Sequence, residues 1–266
     1  MPDLDNLGAA AIQVLSCADP RQKAAFSRRS AQAWREGKLA QTFPHPPSDS
    51  PARPDYPRLL KPQDMPKRRS GSNLGALLHA VTHIEFNAID LAWDMVARFG
   101  EDMPRAFCDD WVSVGDDEAR HFTMMQDRLQ AYDMTYGDLP AHDGLWQSAL
   151  DTRHDLKARL AIVPLVLEAR GLDVTPMMIK RFEKAADEKS AEALTTIYVE
   201  EVSHVAAGKK WFSYLCDRDK CPPVETYHQL VRRYFKGYVK PPFNEDARAR
   251  AGLTAEFYKP LAPEGS

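Results

Sequence analysis

The 266-residue chain has little of what marks several common protein classes. Its four cysteines, Cys17, Cys108, Cys216 and Cys221, contain no Cys-x-x-Cys pair. That argues against a disulfide scaffold and against a cysteine zinc site. No apolar run approaches the roughly 18 residues that a membrane span requires. Charge of one sign is not in excess: 35 Lys and Arg face 38 Asp and Glu, for a net charge of −3. Nucleic-acid binding by bulk charge is therefore not expected, although a local basic patch is compatible with this balance. Alternation of β-branched residues is nearly absent, which argues against a strand-based fold. The opening MPDLDNLGAA has no basic region followed by an apolar stretch, so no signal peptide is read there. The expectation is a soluble, cytoplasmic protein of a reducing compartment. What is present is an ordinary globular composition, 44% hydrophobic and 27% charged, with enough apolar mass for a core.

Four stretches differ in character. Residues 1–40 read as two short helices, the first on Leu7, Ala11, Ile12, Val14 and Leu15, the second opened by Pro20 and running through Phe26 and Trp34. Residues 41–72 carry eight prolines and end in Lys67-Arg68-Arg69-Ser70-Gly71-Ser72. They predict an extended arm without helix, docked through Tyr56, Leu59, Leu60 and Met65. Residues 73–218 hold the long helical patterns: 73–99, 102–132, 145–172 with an interruption at Pro164, and 175–215 with a break near Asp187. Residues 219–266 predict a helix over 225–235 and a tail that returns to bury Phe243, Leu253, Phe257 and Tyr258. The fold class is all-α.

Long helices prompt a search for inward-facing carboxylates and histidines. In Glu-x-x-His the two side chains lie three apart on one helix face, so both can ligate one site. Three copies occur: Glu118–His121, Glu201–His204 and Glu225–His228. Random placement gives about 0.4 such pairs, so the motif alone decides little. The arrangement says more. Glu85 lies 33 residues before Glu118 and Glu168 lies 33 before Glu201, so the two sets repeat at an offset of 83. On that offset Ile84-Glu85, Ile89, Asp90 and Leu91 align with Leu167-Glu168, Leu172, Asp173 and Val174, the pattern of a duplicated helix pair. Glu192 also precedes Glu225 by 33, but Glu192 sits among Asp187, Glu188, Lys189 and Ser190, a solvated face. At 3.6 residues per turn it also points away from Glu201.

A carboxylate on an apolar helix face is costly unless it is paired or holds a metal. Glu85, Glu118, Glu168 and Glu201 would carry four negative charges that two neutral imidazoles do not cancel. Two divalent cations would resolve that, and oxygen with imidazole ligation suits iron or manganese.

At this point the residues resemble a family. Glu85, Glu118/His121, Glu168 and Glu201/His204 are similar to the ligand set of the ferritin-like di-metal carboxylate proteins, one Glu from each of two helices and a Glu-x-x-His from each of two others. The stretches His-Ile-Glu-Phe-Asn-Ala-Ile-Asp-Leu-Ala (83–92), Asp-Asp-Glu-Ala-Arg-His (116–121), Glu-Glu-Val-Ser-His (200–204) and Pro-Pro-Phe-Asn (241–244) resemble an uncharacterised ferritin-like branch, distantly similar to the tRNA-modifying di-iron hydroxylases. The resemblance covers about residues 72–250. It implies a ferritin-like four-helix bundle with extra terminal helices and a Pro-rich arm, and two bound iron ions, with manganese as the alternative. It also implies that Glu118 and Glu201 bridge or chelate, Glu85 and Glu168 are terminal ligands, and His121 and His204 each hold one metal.

Outside the ligands, Asp117 and Glu200 are candidates to orient His204 and His121 across the repeat, against the plainer reading of exposed acids. Tyr198, three before Glu201, is the candidate catalytic residue as an electron relay or hydrogen-bond donor, against the plainer reading of a core tyrosine. Its counterpart is Gly115, which reads either as a gap that admits O2 or substrate, or as a helix-packing glycine. Pro164 is expected to kink its helix. His79 and His83 lie about 120° and 160° around the helix from Glu85, so they line a pocket or serve structure. Arg232, Arg233, Lys236 and Lys240, with Tyr234, Phe235 and Tyr238 between them, offer either a basic aromatic run for an anionic or RNA-borne partner or a solvated helix end.

The leading functional expectation is a di-metal oxidoreductase that uses O2 to hydroxylate or oxidise an organic substrate, with an external electron donor. The alternatives are a ferroxidase or peroxide-handling protein and a metal-free helical interaction module. No membrane partner is expected, and a homodimer follows from fold analogy alone.

Overall fold

The computed structural model describes residues 5–66 and 73–263. The end of the predicted arm, Lys67–Ser72, lies outside the described residues. The described residues are 69% helix and 2% strand, which makes the fold all-α. Among the described residues no helix is long and apolar enough to cross a membrane. Two compact units divide the chain, residues 1–146 and 147–266.

In the first unit, α1 spans Leu7–Leu15 and α2 spans Pro20–Arg35. Asp19 caps α2 by accepting the Gln22 N–H at 2.8 Å, and Pro20 takes the first helical position, as expected of a residue with no N–H to lose. The long helices α3 (Leu74–Phe99) and α4 (Arg105–Leu129) follow. Asn73 caps α3 through its side chain to Ala76 N–H. α3 and α4 pack along their lengths, with α1 against α3 and α2 against α4.

The arm between α2 and α3 is extended, with two residues in strand β1 (Leu59–Leu60) paired in parallel with β2 (Ala141–His142), and one 3-10 turn at Pro62–Asp64. Its predicted anchors need correction. Tyr56 is 69% exposed and Leu59 is exposed, while Leu60 and Met65 are only half-buried. The arm docks instead through the buried Pro51 and Pro57 and through polar contacts: Ala52 N–H to Leu15 O, the Lys23 ammonium to Ala52 O, and Arg53 to Asp90 and Asn87. An apolar count does not see an arm held by its backbone and one arginine.

The boundary between units falls within α5 (Gly144–Asp151). The predicted 145–172 helix breaks after it at Thr152–Asp155. Buried Arg159 braces that break, donating to Thr152 Oγ1 at 3.1 Å and Ala149 O at 2.6 Å. In the second unit α6 (Leu156–Ile162) passes through a π-helical turn, Val163–Glu168, into α7 (Ala169–Lys184). The interruption expected at Pro164 is this π turn. Gly208 accommodates it, since a Cβ there would sit 2.5 Å from the Pro164 ring.

The helix predicted to start at Thr175 does not start there. Thr-Pro imitates a helix N-terminus, but α7 runs straight through Pro176. Pro176 cannot donate to the Leu172 carbonyl one turn back; the Asn244 side chain does so instead, at 3.1 Å. The break near Asp187 is real, and α8 (Glu188–Arg218) begins after it, capped by Asp187. α9 (Pro223–Tyr234) packs on α6, α10 (Glu245–Arg250) on α7 and α8, and α11 (Ala255–Tyr258) on α9. Leu253, Phe257 and Tyr258 are buried as expected of the returning tail, and Phe243 is half-buried.

Candidate metal centre

Each unit carries one of the two candidate ligand sets. In the first, α3 supplies Glu85, 4% exposed, and α4 supplies Glu118 and His121, both fully buried. The i, i+3 spacing lets His121 Nδ1 reach Glu118 Oε2 at 3.3 Å, and the α3–α4 packing brings Glu85 Oε2 to the same nitrogen at 3.4 Å. Ligand atoms from the three side chains lie within 4.8 Å of one another. Two carboxylates and an imidazole converge in the apolar interior, where an uncompensated charge is costly. A cation in their midst satisfies all three, and the donors fit a divalent transition metal rather than a soft thiophilic one.

In the second unit, Glu168 is the last residue of the π turn, and α8 presents Glu201 and His204. His204 is buried, and its Nδ1 lies 3.6 Å from Glu201 Oε1. Glu201 Oε2 is buried without a hydrogen-bond partner, an acceptor placed where a cation would use it. π turns recur at functional sites, and this one ends on Glu168.

Comparison with known proteins places the chain. Residues 16–259 match the model of a family described as "Protein of unknown function (DUF455)". The chain belongs to this family. An uncharacterised protein of Haemophilus influenzae is 38% identical over 221 residues, 79% of this chain and 75% of that one. No solved structure matches. The family carries no stated activity, so the chemistry has to be read from the residues.

The remaining predicted residues are placed as follows. Asp117 is partly exposed and pairs with Arg120 at 2.7 Å. Glu200 is half-buried on α8. The Tyr198 hydroxyl accepts from Asn244 Nδ2 at 2.8 Å and from Arg250 at 3.4 Å, so the Pro-Pro-Phe-Asn stretch acts on Tyr198 and α7 together. Gly115 is not a gap. A Cβ there would sit 2.7 Å from Trp93 Nε1, and its carbonyl accepts from Ser27, which also accepts from Trp93. The glycine permits a close indole approach.

Glu192 and Glu225 are exposed, and His228 Nε2 hydrogen-bonds to the carbonyls of Glu256 and Phe257. That third repeat is therefore structural. Arg232, Arg233, Lys236 and Lys240 are all exposed, as is Tyr238.

His79 and His83 line a cavity of about 350 Å³ on the face of α3 away from Glu85, with Ile84, Leu139 and Leu145 among its walls. His79 Nε2 accepts the Gly137 N–H at 3.1 Å. His83 bridges the Tyr136 hydroxyl and the His142 carbonyl, and burial pushes its pKa down to about 4, so it is neutral.

Sequence reasoning missed the roles of Asp90 and Asp173. Asp90 is fully buried and holds Lys23 and Arg53; Asp173 is buried and holds Arg248. The signal was available, because these two aspartates align on the same offset of 83 as the ligands.

Proposed function

We propose that the two ligand sets form one di-metal carboxylate centre in a ferritin-like bundle. The protein is then an oxidoreductase that uses O2 to hydroxylate or oxidise an organic substrate, with electrons from an external donor. The observation that carries this reading is the buried convergence of Glu85, Glu118 and His121. It is supported by the same three residue types at the same spacing in Glu168, Glu201 and His204. Iron is the favoured metal, with manganese as the alternative, since both take mixed carboxylate and imidazole ligation. When bound, such a pair supplies redox and Lewis-acid chemistry toward dioxygen. The protein's part is to hold the carboxylates deprotonated, fix the imidazoles and keep the surroundings dry. In this reading Tyr198, tied by Asn244 and Arg250, is the residue that passes an electron or a hydrogen bond toward the centre.

The test is oxygen uptake. The chain is loaded with ferrous ion anaerobically, exposed to O2 with excess ferrous ion present, and followed with an oxygen electrode. An oxidase awaiting its substrate consumes about one O2 per two bound ions and then stops. Continuous turnover of the excess would make the protein a ferroxidase, and absence of uptake would remove the oxygen chemistry altogether.

A further inference from the structure

The C-terminus of α8 places two thiols together. Lys220 adopts the left-handed conformation at φ +52°. The Lys220 N–H bonds to Asp217 O, and the Cys221 N–H reaches back to Cys216 O at 2.9 Å. This is the Schellman arrangement, whose long backbone bond turns the side chains at its two ends toward each other. Those ends are usually apolar. Here both are cysteines, and both are free.

The two thiols are in unlike surroundings. Cys216 is fully buried, and burial pushes its thiol up to about 12, with the hydrogen bond to Cys221 adding to it. Cys221 is partly exposed. A hydrogen bond from the Thr226 hydroxyl draws its pKa down, and the Cys216 thiol and the Lys157 ammonium act in the same direction. Lys157 Nζ stands 3.9 Å from Cys221 Sγ and is held there by Asp219 at 2.8 Å. One sulfur is therefore accessible and close to a cation, and the other is sheltered directly behind it. That is the division of labour between an attacking and a resolving cysteine. The other two cysteines lack it. Cys108 is buried and pushed up to about 12 by that burial, and burial also raises Cys17.

We propose that Cys216 and Cys221 form a peroxide-oxidisable dithiol that cycles between two thiols and a disulfide across the α8 cap. The Cys221 thiolate attacks one oxygen of hydrogen peroxide. The O–O bond breaks, an S–O bond forms, and the departing hydroxide takes a proton to leave as water. The Cys216 sulfur then attacks the sulfenic sulfur of Cys221. The S–O bond breaks, the S–S bond forms, and the Cys216 thiol proton leaves with the hydroxide as a second water. Two thiols and one peroxide become one disulfide and two waters, and an external thiol reverses the step by exchange. The spacing of five hides this pair from any Cys-x-x-Cys search, since only the left-handed turn closes it.

The full-length chain, reduced and then treated with equimolar hydrogen peroxide, tests the proposal by alkylation and tryptic mapping. Cleavage after Arg218 and Lys220 puts the two cysteines on separate peptides, 211–218 and 221–232, so a cross-link between these peptides is diagnostic. The expected result is loss of two of the four thiols, a mass lower by about 2 Da, this one cross-link, and recovery with dithiothreitol. Cys216→Ser should leave Cys221 as a sulfenic acid that dimedone traps, and Cys221→Ser should keep its remaining thiols at the same dose. Faster oxidation of Cys17 or Cys108, oxidation of Cys216 in Cys221→Ser at the wild-type rate, or four surviving thiols would each overturn it.

Discussion

Asp90 and Asp173 stand at the same place in two helix pairs, each five residues after a candidate ligand glutamate, and each clasps a cation from a segment outside its pair. Asp90 takes Lys23 from α2 and Arg53 from the arm. Asp173 takes Arg248 from the tail through two bonds of 2.9 and 2.7 Å. The buried acid one and a half turns beyond the ligand thus ties the accessory segment of each unit to its ligand-bearing helix. Removing one member of a buried pair leaves the other charged and unsatisfied. Asp173→Asn and Asp90→Asn should each cost about 3–5 kcal/mol in urea unfolding. Arg248→Met on top of Asp173→Asn should cost less than the sum of the two singles. Wild-type stability in both single variants would show the pairs to be incidental.

The glycines separate by what surrounds them. Gly115→Ala and Gly208→Ala push a methyl against Trp93 and Pro164, and each should destabilise by about 1–3 kcal/mol. Gly171, within α7, has nothing within 4 Å of its would-be Cβ, so Gly171→Ala should stabilise by about 0.5–1 kcal/mol. Thermal unfolding of the three variants orders them, and the reverse order would refute the packing described.

His83 predicts a pH dependence. Folded, it stays neutral down to about pH 4; unfolded, it protonates at its ordinary value of 6.5. Between these values the unfolded chain holds the extra proton. Stability is therefore full above pH 6.5 and falls as pH drops toward 4, by up to about 3 kcal/mol. Arg53, His79 and His142 face the ring and oppose its charging, after burial itself. His83→Gln should flatten that part of the stability–pH curve, and an unchanged slope would remove His83 as its source.

Asn244 joins Leu172 O, Tyr198 and Asp173 while capping α10. Asn244→Ala should loosen the tail, seen as faster tryptic cleavage at Arg248 and Arg250 than in wild type. Equal cleavage rates would place the hold on the tail elsewhere.

The long helices α3, α4 and α8 and the buried Glu85, Glu118 and His121 group were legible because they rest on local periodicity and on a repeat at fixed offset. Less legible was whatever depends on a partner far along the chain. Pro176 read as a helix start because the compensating donor, Asn244, lies 68 residues later. Gly115 stayed open between a gap and a packing glycine because Trp93, which decides it, comes from another helix. The arm's apolar residues were taken for its anchors because Arg53 meets Asp90 only in three dimensions. The Cys216–Cys221 proximity rests on one left-handed residue, Lys220, which no spacing rule reveals.

Elemental analysis tests the central claim most directly, on full-length chain expressed with iron and purified without chelator, beside Glu118→Ala. The account predicts about two iron or manganese ions per chain, lost in the variant. No bound metal in either protein would contradict it.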